Sequence, residues 1–331
     1  MTPKTPKPIQ PTIDLKLLKS VSRSFYLSIR LMPQALRPTL GVAYLLARAS
    51  DTIADTESAP ASTRLRRLAE FEKLIKGGSS PHAMASIQRD IQPRHDGERK
   101  LIETLPEVLK VFQSLDAWEW KETSDMMTNI IRGQSMDLET FGEPDTLNAL
   151  ADGSTLEDYI YLVAGCVGEW WTRLCFHSFP KEQYSRMPEE DLSLLGTNFG
   201  KGLQLVNILR DMPADLDAGR CYLPASELKN IGTQPALLNE APTEGQPVFE
   251  LWTLRARELL DQGRLYIMSL RSRRTRMACY LPWRLGVDTL DLFTSQPPLV
   301  TGRKVKVSHA AVRKALLQSV HVAFSNKLLL K

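Results

Sequence analysis

Several features that would settle the class of this chain early are scarce or missing. Its 331 residues include four cysteines, Cys166, Cys175, Cys221 and Cys279, far apart and with no CxxC pair. That spacing indicates neither a disulfide framework nor a zinc site, so reduced thiols are expected. No GxGxxG follows a strand, and the GKG at Gly200 is not a phosphate loop. No uncharged apolar run reaches the roughly 18 residues of a membrane span. Charge of one sign is barely in excess: 42 basic residues against 38 acidic leave +4, too little to make nucleic acid the main partner. The opening MTPKTPKPIQPT is rich in proline and lysine without an apolar core, so residues 1–12 read as a flexible tail and not a secretory signal. No repeat of fixed period is present. The expected location is cytoplasmic, including the inner face of the membrane.

What is present is helical periodicity. Hydrophobic residues make up 43% of the chain and charged residues 24%, enough to bury a sizeable core. Apolar positions recur every three or four residues, while strand-like alternation bounded by hairpin signals is almost lacking. The pattern predicts an all-α protein with helices over 13–32, 38–55, 62–76, 96–115, 121–141, 155–176, 192–212, 248–272, 276–293 and 308–329. GGSSP near Gly77 and the proline- and glycine-spaced run 232–247 read as surface connections. The working organisation is one helical domain over 13–295, followed by a basic amphipathic segment, 296–331, packed on or beside it.

Two stretches carry chemistry. YLLARASDTIADT (44–56) and NILRDMPADLD (207–217) each place a DxxxD on an apolar helix. Residues four apart turn through about 400°, so Asp51 and Asp55 share a face, as do Asp211 and Asp215. Carboxylates held on apolar scaffolds repel one another and are costly to desolvate unless cations compensate them. Such oxygen donors suit Mg2+, which takes one or two carboxylates together with substrate phosphates. Asn207 extends the second stripe with a neutral oxygen. Arg48, Arg210 and Arg220 lie on or just after the same segments, and guanidinium groups grip phosphate oxygens bidentately. A single DxxxD is more often a solvated helix face than a metal site; two, each with arginine, describe a diphosphate site.

Five blocks in order then resemble a known family. Ser22-Arg23-Ser24-Phe25, the Tyr44 to Asp55 stretch, Tyr159-Ile-Tyr161-Leu-Val-Ala-Gly165-Cys-Val-Gly168, Gln204-Leu-Val-Asn207-Ile-Leu-Arg210-Asp211 and Gly219-Arg220-Cys-Tyr222-Leu-Pro224 are similar to motifs of the squalene/phytoene synthases. The resemblance covers about residues 15 to 290. It implies an isoprenoid synthase fold, all-α, whose central cavity carries two aspartate-rich helices, and head-to-head condensation of two prenyl diphosphates with Mg2+. It implies metal binding by Asp51, Asp55, Asp211 and Asp215 with Asn207 alongside. Ser22, Arg23, Arg48, Arg210 and Arg220 match positions that hold diphosphate. Tyr161 matches a tyrosine proposed to remove a proton, and Phe25, Tyr44, Gln204 and Tyr222 match cavity-lining positions. For Phe25 and Tyr222 an ordinary core role is the simpler reading, since an aromatic at helical spacing usually packs.

Two departures stand out. Squalene-forming members often place an acidic residue before the last aspartate of each motif, where this chain has Ala54 and Ala214. Pro213 interrupts the second motif and removes the amide that would bond the carbonyl of Leu209, so the helix is expected to kink or end there. The DTxxD spelling in an R-A-S-D context resembles squalene synthases more than phytoene synthases, which implies farnesyl diphosphate as substrate, presqualene diphosphate as intermediate and NADPH as hydride donor. The alternatives are dehydrosqualene, phytoene or hydroxysqualene formation without reduction, a terpene cyclase, or a non-catalytic prenyl-binding or assembly protein. Nothing in the pattern fixes an oligomeric state. The basic excess lies late in the chain, in RSRRTR (271–276), GRKVK (302–306) and NKLLLK (326–331), as on a helix meeting anionic lipid or simply on a solvated face.

Overall fold

Residues 37–55 put Leu40, Ala43, Leu46 and Ile53 on one buried stripe, and this helix is the centre of the first half of the molecule. The computed structural model describes residues 15–21, 32–142 and 147–330, so the expected tail at 1–12 lies outside the described residues. The chain divides into two compact units, Met1–Thr128 and Asn129–Lys331.

The first unit contains α1 (Leu15–Val21), α2 (Arg37–Asp55), α3 (Ala61–Ile75), α4 (Pro81–Asp90), α5 (Asp96–Glu103) and α6 (Leu105–Gln113), and α7 (Ala117–Phe141) begins in it. Helix α2 packs on α3, α5 and α6, burying Leu45, Leu68, Phe71, Leu101 and Phe112. It stops at Asp55 because Thr56 leaves the helical region (φ −66°, ψ 106°) while its hydroxyl donates back to the Thr52 carbonyl at 2.5 Å. Residues 96–115 are two helices and not the one expected. Pro106 has no amide to offer the Ile102 carbonyl, which accepts instead from Gln88 Nε2 at 3.2 Å. The run GGSSP also does more than connect: Ser80 accepts from the Ala83 amide and Pro81 sits in the first turn, so together they start α4.

The second unit holds β1 (Asn148–Ala149), α8 (Gly153–Ile160), a π-helical turn (Tyr161–Gly165), α9 (Cys166–Ser178), α10 (Lys181–Tyr184) and α11 (Glu189–Asp217). It continues with β2 (Arg220–Cys221), α12 (Ala225–Asn230), α13 (Gln246–Ser269), α14 (Arg273–Phe293), α15 (Pro298–Thr301) and α16 (His309–Val322). Helix α11 is its axis, packed on α9 and α13. Glycines allow the first of these crossings: a Cβ on Gly168 would lie 2.0 Å from the Gly196 carbonyl oxygen, and one on Gly200 2.3 Å from that of Ala164. Below it Thr172, Tyr184 and Tyr266 share buried hydroxyl hydrogen bonds of 3.0 and 3.1 Å.

Helix α11 does not end at Pro213, one of the two outcomes expected there. It runs through the proline to Asp217, because Met212 and Leu216 are buried on its apolar side and their packing outweighs one missing hydrogen bond. After it Gly219 takes φ 78°, and the chain enters a two-residue parallel pairing of Asn148 with Arg220 and Ala149 with Cys221. The closing helix is shorter than expected, ending at Val322. All four cysteines are free and buried. Among the described residues no helix is long and apolar enough to cross a membrane.

Candidate functional site

In the first unit the last two turns of α2 carry the first acidic motif. Burial of Thr52, Ile53 and Ala54 fixes the roll of the helix, which leaves the Asp51 side chain 45% exposed and Asp55 exposed. Arg48 ion-pairs with Glu98 from α5, and its Nη1 lies 3.8 Å from Asp51 Oδ2. The Tyr44 hydroxyl donates to the Val21 carbonyl at 3.2 Å, and burial raises its pKa. Arg48 and Asp55 line a cavity of about 400 Å³, together with Thr52, Arg94, His95 and Glu98. Ser22, Arg23 and Phe25 lie outside the described residues.

In the second unit α11 presents Lys201, Gln204, Asn207, Asp211 and Asp215 along one partly exposed stripe, while Leu205, Val206, Leu209 and Met212 face the core. Asp211 is held twice. Arg210 donates to it bidentately (Nε to Oδ1 2.7 Å, Nη2 to Oδ2 2.8 Å), and Lys304 Nζ reaches Oδ1 at 2.8 Å. Burial opposes ionisation of Asp211, but these two cations outweigh it and lower the pKa. Asp215 has no such help. Burial pushes it up to about 7, Asp211 and Asp137 add repulsion, and attraction from Arg220 and Lys304 is insufficient. A half-buried carboxylate whose own cations do not keep it ionised, beside oxygen donors on the same stripe, fits a hard divalent cation. Among the described residues no three His, Cys, Asp or Glu side chains converge on one point, so such an ion would need oxygens from another source as well.

The β1–β2 pairing carries Arg220 and Tyr222 to Asp137 on α7. Arg220 Nη1 lies 3.6 Å from Asp137 Oδ2, and the Tyr222 hydroxyl donates to Oδ1 at 2.5 Å. Tyr222 is buried, stacked on Tyr159 at 5.3 Å between ring centroids and edge-on to Phe141 at 5.0 Å, so its core role is real along with its place beside Arg220. Tyr161 stands on the π-helical turn and donates to Glu169 Oε2 at 3.3 Å. Burial and the Glu169 charge both raise its pKa, so the phenol is neutral. Lys201 joins Glu157, which also accepts from Arg255 Nε at 2.7 Å.

Three contributors escaped the sequence reading. Asp137 and Glu98 sit on helices without a motif, and only proximity in the fold reveals them. Lys304 belongs in sequence to the basic run 302–306, yet its place is against Asp211, with Val305 buried beside it. Arg276, expected on that surface too, is buried and donates to the carbonyls of Val322 and Leu270 and to Asn326.

The squalene/phytoene synthase family model matches residues 18–311, and the chain belongs to that family. Among curated proteins it is 26% identical over 308 residues to squalene synthase BSS of Botryococcus braunii, covering 88% of this chain and 60% of that protein. It is 28% identical over 225 residues to the bifunctional lycopene cyclase/phytoene synthase of Blakeslea trispora, covering 67% of this chain and 34% of that one. The chain therefore spans between a third and three fifths of the length of these relatives. Among solved structures, a ligand complex of TcSQS superposes with a TM-score of 0.74 at 20% identity, over 96% of this chain and 89% of that one. A dehydrosqualene synthase complex follows at 0.62 and 21%, covering 92% and 93%. The all-α isoprenoid synthase fold expected from the motifs is thus the fold of the chain.

Proposed function

We propose that the protein condenses two farnesyl diphosphates head to head, through presqualene diphosphate, to squalene, with Mg2+ and NADPH. The observation that carries this is the arrangement on α11: Asn207, Asp211 and Asp215 on one partly exposed stripe, with Arg210 and Lys304 on Asp211. Asp51, Asp55, Asp211 and Asp215, with Asn207, would hold the metal. Bound there, Mg2+ would supply charge neutralisation for the leaving diphosphate.

The remaining work belongs to side chains. Arg48, Arg210, Arg220 and Lys304 would bind diphosphate oxygens, each guanidinium or ammonium being already positioned by a carboxylate neighbour. Tyr44 and Gln204 line the path of the prenyl chains. Tyr161, a neutral phenol bonded to Glu169, takes a proton at its hydroxyl oxygen while its own proton moves to Glu169, which closes the cyclopropane of the intermediate. Apolar walls keep water from the cation formed next. NADPH as hydride donor rests on the motif resemblance, and no residue is assigned to hold it. The relatives include both squalene and phytoene synthases, so the product is assigned on the DTxxD spelling of the first motif.

The test is incubation with farnesyl diphosphate and Mg2+, with and without NADPH, and mass spectrometry of the hydrocarbon fraction. Squalene formed only with NADPH is the expected result. Dehydrosqualene or hydroxysqualene regardless of NADPH would reassign the protein to a non-reducing activity, and no diphosphate release would overturn the catalytic reading.

A further inference from the structure

We propose that the exposed face of α16 is a docking surface for an anionic lipid bilayer. The sequence from Ser295 to Lys331 contains no carboxylate side chain and seven lysines and arginines. Within it α16 buries Ala315, Ser319 and Val322 against the protein and packs on α14. The opposite face is apolar where a solvated helix would be polar: Leu316, Leu317, Val320 and Phe324 are 47, 76, 50 and 68% exposed. At 100° per residue Leu317 and Val320 share one sector of the helix with Leu316 at its edge, and exposed Phe324 follows in the turn just past the helix end.

Cations border this sector. Arg313 falls on the same face one turn before Leu317, exposed Lys314 flanks it, and Arg273 of α14 rests over the Phe324 ring at 4.4 Å. The basic run 271–276 of α14 therefore reaches the apolar sector at Phe324. Arg276 takes no part in the surface; its bonds to Val322 and Asn326 pin the end of the helix so that Phe324 stays outward. Apolar side chains bordered by arginine and lysine complement an interface of negative headgroups over acyl chains, and the aspartates that share a cavity with Lys314 and Gln318, Asp261, Asp288 and Asp291, are each paired with an arginine of their own. A second protein copy would meet this face with the same positive charge, which disfavours self-association through it.

Flotation of the full chain with vesicles of phosphatidylcholine alone, and of phosphatidylcholine with phosphatidylglycerol, tests the proposal without substrate and so independently of the reaction assigned above. Binding to the anionic vesicles only, weakened at high salt, is expected. Leu317→Glu combined with Phe324→Ser should lower the partition by about tenfold or more with the thermal melt unchanged, since both side chains are exposed. In Leu317→Trp, emission should shift to the blue on adding anionic vesicles. No binding to anionic vesicles, binding that the double variant leaves intact, or a dimer in sedimentation that the double variant dissolves would each overturn it.

Discussion

Asp215 shows how burial and neighbouring like charge act together on one carboxylate. Its folded pKa, about 7, lies above the ordinary carboxylate value, so the folded state binds this proton more tightly than the unfolded chain does. The corresponding stability is complete below about pH 4 and is lost as pH rises through about 7. Without divalent cation, Asp215→Asn should therefore raise the melting temperature at pH 8, by about 1 to 3 kcal/mol in stability, and leave it unchanged at pH 4; calorimetry at the two pH values decides it. Asp211 behaves oppositely because Arg210 and Lys304 already satisfy it. Asp51→Asn and Asp211→Asn should each cut turnover by at least about 10²-fold with the helical circular dichroism intact, and normal activity in either would remove the metal assignment. The Lys304–Asp211 pair is partly exposed and adds under about 1 kcal/mol to stability. Lys304→Ala should nevertheless tighten Mn2+ binding several-fold in the absence of substrate, read by electron spin resonance, because it leaves Asp211 one cation short.

At the scale of elements, the helix periods, the two acidic stripes and the five ordered motifs were legible in the sequence because each is local, set by three- and four-residue spacing. Boundaries and breaks were less so. Pro106 and Pro213 look alike in sequence, yet one divides two helices while the other is absorbed by α11, since only at Pro213 does a long apolar face on both sides hold the helix together. The two-residue pairing of β1 with β2 is set by tertiary contacts and leaves no alternation to read. The close approach of α9 and α11 is a further case, visible in sequence only as scattered glycines. Gly168→Ala must push backbone against backbone and should cost about 2 to 4 kcal/mol, measurable by urea unfolding. Gly165 and Gly200 lie on the same crossing, so this variant should also disturb the turn that positions Tyr161 and show reduced activity in its folded fraction.

Across the whole molecule, the distribution of thiols gives a probe of cooperativity. Cys166, Cys175, Cys221 and Cys279 all fall in the second unit, and burial pushes the thiols of Cys166, Cys221 and Cys279 up to about 12, with Cys175 raised as well. Neither accessibility nor thiolate fraction permits labelling in the native state, so a disulfide reagent reports only the opening of residues 129–331. Circular dichroism reports helices of both units. The two signals need not agree in a chain with two compact units, but α7 is one continuous helix from Ala117 to Phe141 and crosses the division at Thr128. Opening of either unit removes the packing on one half of that helix and frays the remainder, at the loss of the hydrogen-bonded ladder that both share. Coincident urea transitions by pulsed thiol labelling and by circular dichroism are therefore expected. Helix loss that precedes thiol exposure would mean that the first unit unfolds alone and that α7 does not couple the two acidic motifs it separates in the chain.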